Sequence, residues 1–258
     1  MATFPSSAPD QSVQPGQPEQ PDPPVQSLAA LLAGAAPSTI VGVIAQMQAI
    51  DDLLPPTDGL KWFNRLYLMV TEQVDLNPPG GAWQTPEWLL HLDVVFAGLY
   101  FSAIREYLAE AKTPTAWAVL FESRFDPCIE HIQFALAGMN AHINRDLALA
   151  LNRTNADLNI LPAQDGPEHA DYMAVNTLLD GVMPAALAML ATDPLGEIAE
   201  DTGKVGRLLS SFNIYAARDA AWDFAWQLRD LPGLARDAAL VAQDVATGAL
   251  GRTLLTAV

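Results

Sequence analysis

Apolar residues recur every three or four positions along most of the chain, and proline-containing capping signals divide that pattern into about eight segments. Ser38 is placed to cap a helix through Ile40, Val43, Ile44 and Met47 to about Leu54, where Pro55-Pro56 stops it. Thr57 and Asp58 open a second helix, from about Gly59 to Val74, ended by Asn-Pro-Pro-Gly-Gly at 77–81. Thr85-Pro86 sets a capping hydroxyl before a proline at the first helical position, where no amide donor is needed; a long helix to about Ala111 follows. Thr113-Pro114 repeats the device for a short helix ending near Arg124, and Asp126-Pro127 for one reaching about Arg153. A helix from about Glu168 to Ala191 is expected to bend at Pro184. Asp193-Pro194 begins a segment that Gly203 and Gly206 interrupt before it continues to Leu228, and a last helix starts at Leu234. No hairpin dipeptide is flanked by alternating β-branched residues. The pattern predicts an all-α fold: a single helical-bundle-like domain over 27–258, about eight helices around a buried central one. Residues 1–26, with seven prolines among Gln and Ser, cannot bury enough surface to offset their ordering entropy and read as a disordered tail.

The central helix is the informative one. In PCIEHIQFALAGMNAHINRDLALAL (127–151), a 100° wheel puts His131, Ala135, Gly138, Met139, His142, Asp146 and Leu149 on one side. Gln133, Ala137, Asn140, Asn144, Leu147 and Leu151 fall opposite. Both sides are otherwise small or apolar, so the polar members enter a buried environment where they need partners. Ala135 and Gly138 leave room for a neighbouring helix. His142 and Asp146 are one turn apart and can touch. Asp93 sits inside LLHLDVVFAGLYF with Phe96 and Tyr100 on its stripe; Asn64 and Thr71 line up on the second helix; Tyr215, Asp219, Trp222 and Trp226 form an aromatic stripe with a carboxylate in it.

Charge changes what these residues can serve. A formal net charge of −17, with Lys only at 61, 112 and 204, excludes nucleic acid and an anionic membrane surface as expected partners. The single cysteine, Cys128, fits a reducing cytoplasm, and no basic residue precedes Lys61, so no secretory n-region is seen. The apolar run 28–45 is broken by Gly34, Pro37 and Ser38, making it a poor membrane span.

The runs GMNAHINRDL (138–147) and AWAVLFESR (116–124), with DGLKWFNRLYLMVT (58–71), LDVVFAGLY (92–100) and AARDAAWDFA (216–225), resemble an uncharacterised bacterial family, the domain-of-unknown-function family numbered 5995. The resemblance covers roughly residues 40 to 230. It implies a helical domain and no established activity, so it assigns no catalytic residue.

From the residues themselves, the expectation is an enzyme of small-molecule, specialised metabolism, a lyase, cyclase or hydrolase. Its catalytic candidates are His142, Asp146, Asp93, Asn140 and Asn144, and Phe96, Tyr100, Tyr215, Asp219 and Trp222 are its substrate-binding candidates. In a second reading His142 and Asp146 at i, i+4 hold a divalent metal, completed by Asp93, His131 or His169. That arrangement resembles helical zinc phosphoesterases, although those use more histidines than the four present here. In a third, the polar residues only fix helix register, Asp93 pairs with Arg124 or Arg145, and the Ala-rich helix 234–258 serves self-association into a homo-oligomer. Cys128 and His91 read as ordinary packed residues, and the acidic segment 197–201 as a solvated face.

Overall fold

The computed structural model describes residues 23–76, 81–190 and 212–256, with side chains from Ser27 onward. Residues 1–22, most of the 77–81 break, the Asp193-Pro194 start and the acidic segment 197–201 lie outside the described residues.

The fold is all-α, with no strand among the described residues. In chain order the helices are α1 (Pro23–Leu32), α2 (Ile40–Leu53), α3 (Gly59–Leu76), α4 (Pro86–Leu108), α5 (Thr115–Ser123) and α6 (His131–Asn140). A π-helical stretch (Ala141–Leu147) runs directly into α7 (Ala148–Asp157), followed by α8 (Pro167–Leu190), α9 (Ile214–Asp230) and α10 (Gly233–Thr256). Counting α6, the π stretch and α7 as one rod gives nine among the described residues. The rod beyond the eight expected is α1, which begins inside the segment assigned to the tail: Leu28 and Leu32 are fully buried and hold it to the core.

Local chemistry sets the helix ends. Thr39, not Ser38, caps α2, its hydroxyl accepting from the Gly42 amide. Glu130 with Gln133 forms a capping box at α6, so the central rod starts at His131 rather than just after Pro127. Thr85 stands at the N-cap of α4 but makes no side-chain cap; its hydroxyl and amide, with the Gln84 amide, donate instead to Asp171 of α8. Pro184 lies inside α8, which continues through it to Leu190.

The central rod runs through the middle. Every residue of α6 is buried. α3 and α10 pack against α6, α9 lies along the π stretch and α7, and α4 crosses α7. The close approach of α3 is made at Gly138, where an added Cβ would sit 2.3 Å from the Phe63 ring. Asp58 and Arg124, both fully buried, form an ion pair that ties the start of α3 to the end of α5, and the Gly59 amide donates to the Arg124 carbonyl.

α10 is not a free surface helix: Thr247, Gly248, Gly251, Leu254 and Leu255 are buried against α5 and α6. Its outer face still exposes Leu234, Val241 and Val245. By length and composition alone, α4 and α8 could each span a membrane; half of the most apolar stretch of α4 is buried in the fold, against 28% of that of α8.

Candidate active site

α3, α4, the central rod, α8 and α9 enclose a partly closed cavity of about 50 Å³, room for roughly three to five waters. Its wall is largely apolar (Val70, Leu92, Phe96, Met139, Ile143, Val175), and its polar members are Tyr67, Thr71, Asp93, His142, Tyr172 and Arg218. Five buried side-chain polar atoms among the described residues have no hydrogen-bond partner, and three of them belong to this wall: Tyr67 Oη, Asp93 Oδ2 and His142 Nε2.

His142 is held from every side. Its ring stacks on Phe96 with centroids 3.4 Å apart and planes 7° from parallel, and the Tyr67 ring stands edge-on 4.4 Å away. Phe63 and Trp117 complete the aromatic shell. Nδ1 lies 3.4 Å from Asp146 Oδ2. That carboxylate also accepts from Trp117 Nε1 at 2.8 Å and from Arg145, so it acts as an acceptor and the proton of the pair sits on Nδ1. Nε2 is therefore an acceptor with nothing to accept from. Burial lowers the His142 pKa below its ordinary 6.5, against the opposing pull of Asp146, which keeps the ring neutral.

The π stretch decides which residues share the cavity. Its wider, i to i+5 turns rotate side chains away from the straight 100° wheel. The cavity receives Met139, His142, Ile143 and Leu147, while Asp146 turns to Trp117 and supports His142 from behind.

Asp93 is part-buried as a residue, but its Oδ2 is shielded. Burial pushes its pKa from 3.8 up to about 7; Arg218 opposes the rise and Asp75 adds to it. Burial, and then the Asp93 charge, raise the Tyr67 hydroxyl well above 10 against the opposing pull of the nearby Thr71 side chain, so it stays a donor. Asp93 pairs with neither Arg124 nor Arg145: Arg124 is taken by Asp58, and Arg145 by Asp146 and Asp244.

Of the sequence candidates, His142, Asp93 and Phe96 meet at the cavity, with Asp146 directly behind His142. Tyr100 is buried near His142 but hydrogen-bonds Asn64 and is not part of the wall. Asn140 and Asn144 are not brought to it. Asn140 Nδ2 donates to the Thr247 carbonyl of α10, Asn144 donates to Asn140, and Gln133 donates to the Leu254 and Leu255 carbonyls. The α9 stripe is misaligned by one position: Asp219 is exposed, Tyr215 reaches Asp180 on the surface, and Trp222 packs on His169, Tyr172 and Trp88 outside the cavity. The residue of α9 that does face the cavity is Arg218. Tyr67 and Arg218 are the functional candidates that sequence reasoning missed. Their signals were the i, i+4, i+8 series Phe63, Tyr67, Thr71, and an arginine set among small neighbours, Ala217 and Ala221.

Among the described residues no group of three or more His, Cys, Asp or Glu side chains could hold an ion. His131 stacks on Trp62, His169 packs at a tilt against Trp222, and His91 contacts Asp157 at 3.2 Å, so the histidines are separately engaged. The facing atoms of His142 and Asp146 share a proton instead.

Fold and site together define an all-helical protein built round one buried imidazole–carboxylate pair and a small, mainly apolar cavity. The chain matches a family of unknown function (DUF5995) over residues 40–257 and belongs to it. No curated protein and no solved structure matches it.

Proposed function

We propose that this chain is an enzyme of small-molecule metabolism in which His142 is the general base and Asp93 the general acid. The observation that carries the proposal is the convergence of three unpartnered buried polar atoms, from α3, α4 and the π stretch, on one cavity. Each such atom costs about 1–3 kcal/mol, and interiors normally satisfy them. A bound molecule supplying the missing partners accounts for why they stand together. Their proton affinities are displaced in opposite directions, a neutral imidazole below its usual value and a carboxyl above its own, as acid–base pairs working near neutral pH require.

The purely structural reading accounts for Gln133, Asn140 and Asn144, which stitch the central rod to α10, but leaves the cavity unexplained. Metal-assisted hydrolysis lacks its donors among the described residues. The carboxylates that α4 and α8 carry inward, Asp93 and Asp171, favour a water-soluble protein, and the lone cysteine and net charge of −17 fit a cytoplasmic enzyme without a nucleic-acid partner.

The test is incubation of the purified chain with a small-molecule cell extract, followed by mass spectrometry. Species consumed by the wild type should be spared by His142→Ala and by Asp93→Asn, with folding of both variants verified by circular dichroism. Should no species separate the wild type from folded variants, the enzyme reading fails.

A further inference from the structure

We infer that the molecule received by this cavity is a short-chain monocarboxylic acid, recognised by Arg218; the inference rests on the cavity being a substrate site. Arg218 is 7% exposed and lines the cavity. Among the described residues its guanidinium has neutral partners: Nε donates to Asn176 Oδ1 at 2.8 Å, Nη2 donates to the Tyr172 carbonyl at 2.5 Å, and the group lies 4.2 Å over the Tyr172 ring. Among the described residues no carboxylate is paired with it. A guanidinium withdrawn from water without a counter-charge is costly, and its natural partner is a planar carboxylate.

Asp93 is the only carboxylate among the described residues of the wall, and its Oδ2 has no partner. The charge of Arg218 reaches Asp93, yet nothing joins them. A molecule filling that space has to accept from a guanidinium and share a proton with a carboxyl group. A carboxylic acid does both, one oxygen turned to Arg218 and the other sharing a proton with Asp93, with the Tyr67 hydroxyl as a further donor. At roughly 10–15 Å³ for each water-sized group, the cavity of about 50 Å³ takes about three to five non-hydrogen atoms, which admits acetate or propionate. Val70, Leu92, Met139 and Val175 receive the alkyl part.

Arg218 from α9 and Asp75 from α3 act on Asp93, and the other titratable groups that line the cavity with it are Tyr67 from α3, His142 from the π stretch and Tyr172 from α8. A carboxylate placed beside Asp93 holds a proton there, so the acid binds with proton uptake that grows from pH 6 to pH 8. Uptake also removes the repulsion that a chain of net charge −17 exerts on an anion.

The experiment titrates the whole chain with propionate, 1-propanol and propylamine by calorimetry, at pH 6 and pH 8, in two buffers of different ionisation heat, while ¹⁵N NMR follows the His142 ring. Propionate is expected to bind more than about tenfold tighter than either of the other two, the weight of one charge-assisted hydrogen bond, with the larger uptake at pH 8. Arg218→Met should remove that preference; if the variant does not fold, the three wild-type titrations decide. Equal binding of propanol or propylamine, or propionate binding without uptake at pH 8, overturns the carboxylic-acid assignment. If those probes still move the His142 signals, the enzyme reading survives it; if none of the three moves them, both fall.

Discussion

His142 Nδ1 lies 3.4 Å from Asp146 Oδ2, four residues on in the same π-helical stretch, and this contact fixes which ring nitrogen faces the cavity. On the proposed reading Asp146 is the orienting group: it keeps the proton on Nδ1 and leaves Nε2 open as the base. In Asp146→Asn the amide can donate to Nδ1, which moves the ring proton to Nε2. Turnover should fall by about 10²–10⁴-fold, the usual weight of a positioned general base. The same variant should lose about 1–3 kcal/mol of stability, as Trp117 and Arg145 lose their charged acceptor. Ring ¹⁵N shifts check it directly: an unchanged Nδ1–H tautomer would remove Asp146 from the mechanism.

Asp93 should make stability depend on pH in a particular direction. Its pKa is 3.8 ordinarily and about 7 in the fold, so the folded chain binds the proton more tightly than the unfolded one. The stability tied to that proton is complete below 3.8 and is lost as pH climbs to about 7, a loss of up to about 4 kcal/mol at 1.36 kcal/mol per unit. Asp93→Asn should therefore be more stable than the wild type at pH 8, with the advantage gone by pH 4. His142 acts oppositely: its lowered pKa means stability held by the neutral ring is lost as pH falls below 6.5. Urea midpoints at pH 8, 6 and 4 separate the two, because a constant increment for Asp93→Asn would rule out a titrating carboxyl.

The asparagines belong to the scaffold. Asn140→Ala frees the buried Thr247 carbonyl and should cost about 1–3 kcal/mol while leaving the His142 ring shifts and any turnover unchanged. Loss of turnover in a fully folded Asn140→Ala protein would return that residue to the site.

Gly138→Ala should be destabilising although alanine favours helices. The new Cβ would lie 2.3 Å from the Phe63 ring and 2.6 Å from Phe63 Cβ, a clash that rotation of the ring cannot relieve. The expected cost is about 1–3 kcal/mol in chemical denaturation, with displaced His142 shifts, since Phe63 forms part of its aromatic shell. A neutral or stabilising result would mean that α3 and α6 are less closely packed than described.

The chain's own pattern determined the helical class, most of the helix starts, the buried centre at His131–Leu151 and the pairing of His142 with Asp146. These depend on periodicity, proline placement and the i, i+4 distance, all local properties of the chain. It also left Asn140 and Asn144 on the far side from His142, where they serve α10. Only the tertiary structure decided that Tyr67, Asp93 and Arg218, distant in sequence, face His142 across one cavity. A wheel drawn at 100° could not foresee the π turns that rotate Asp146 behind His142, nor the azimuth of α9 that selects Arg218 over Asp219. Azimuth is set by how neighbouring helices interlock, as Gly138 and Phe63 do, and that information lies in contacts between helices and not within any one of them.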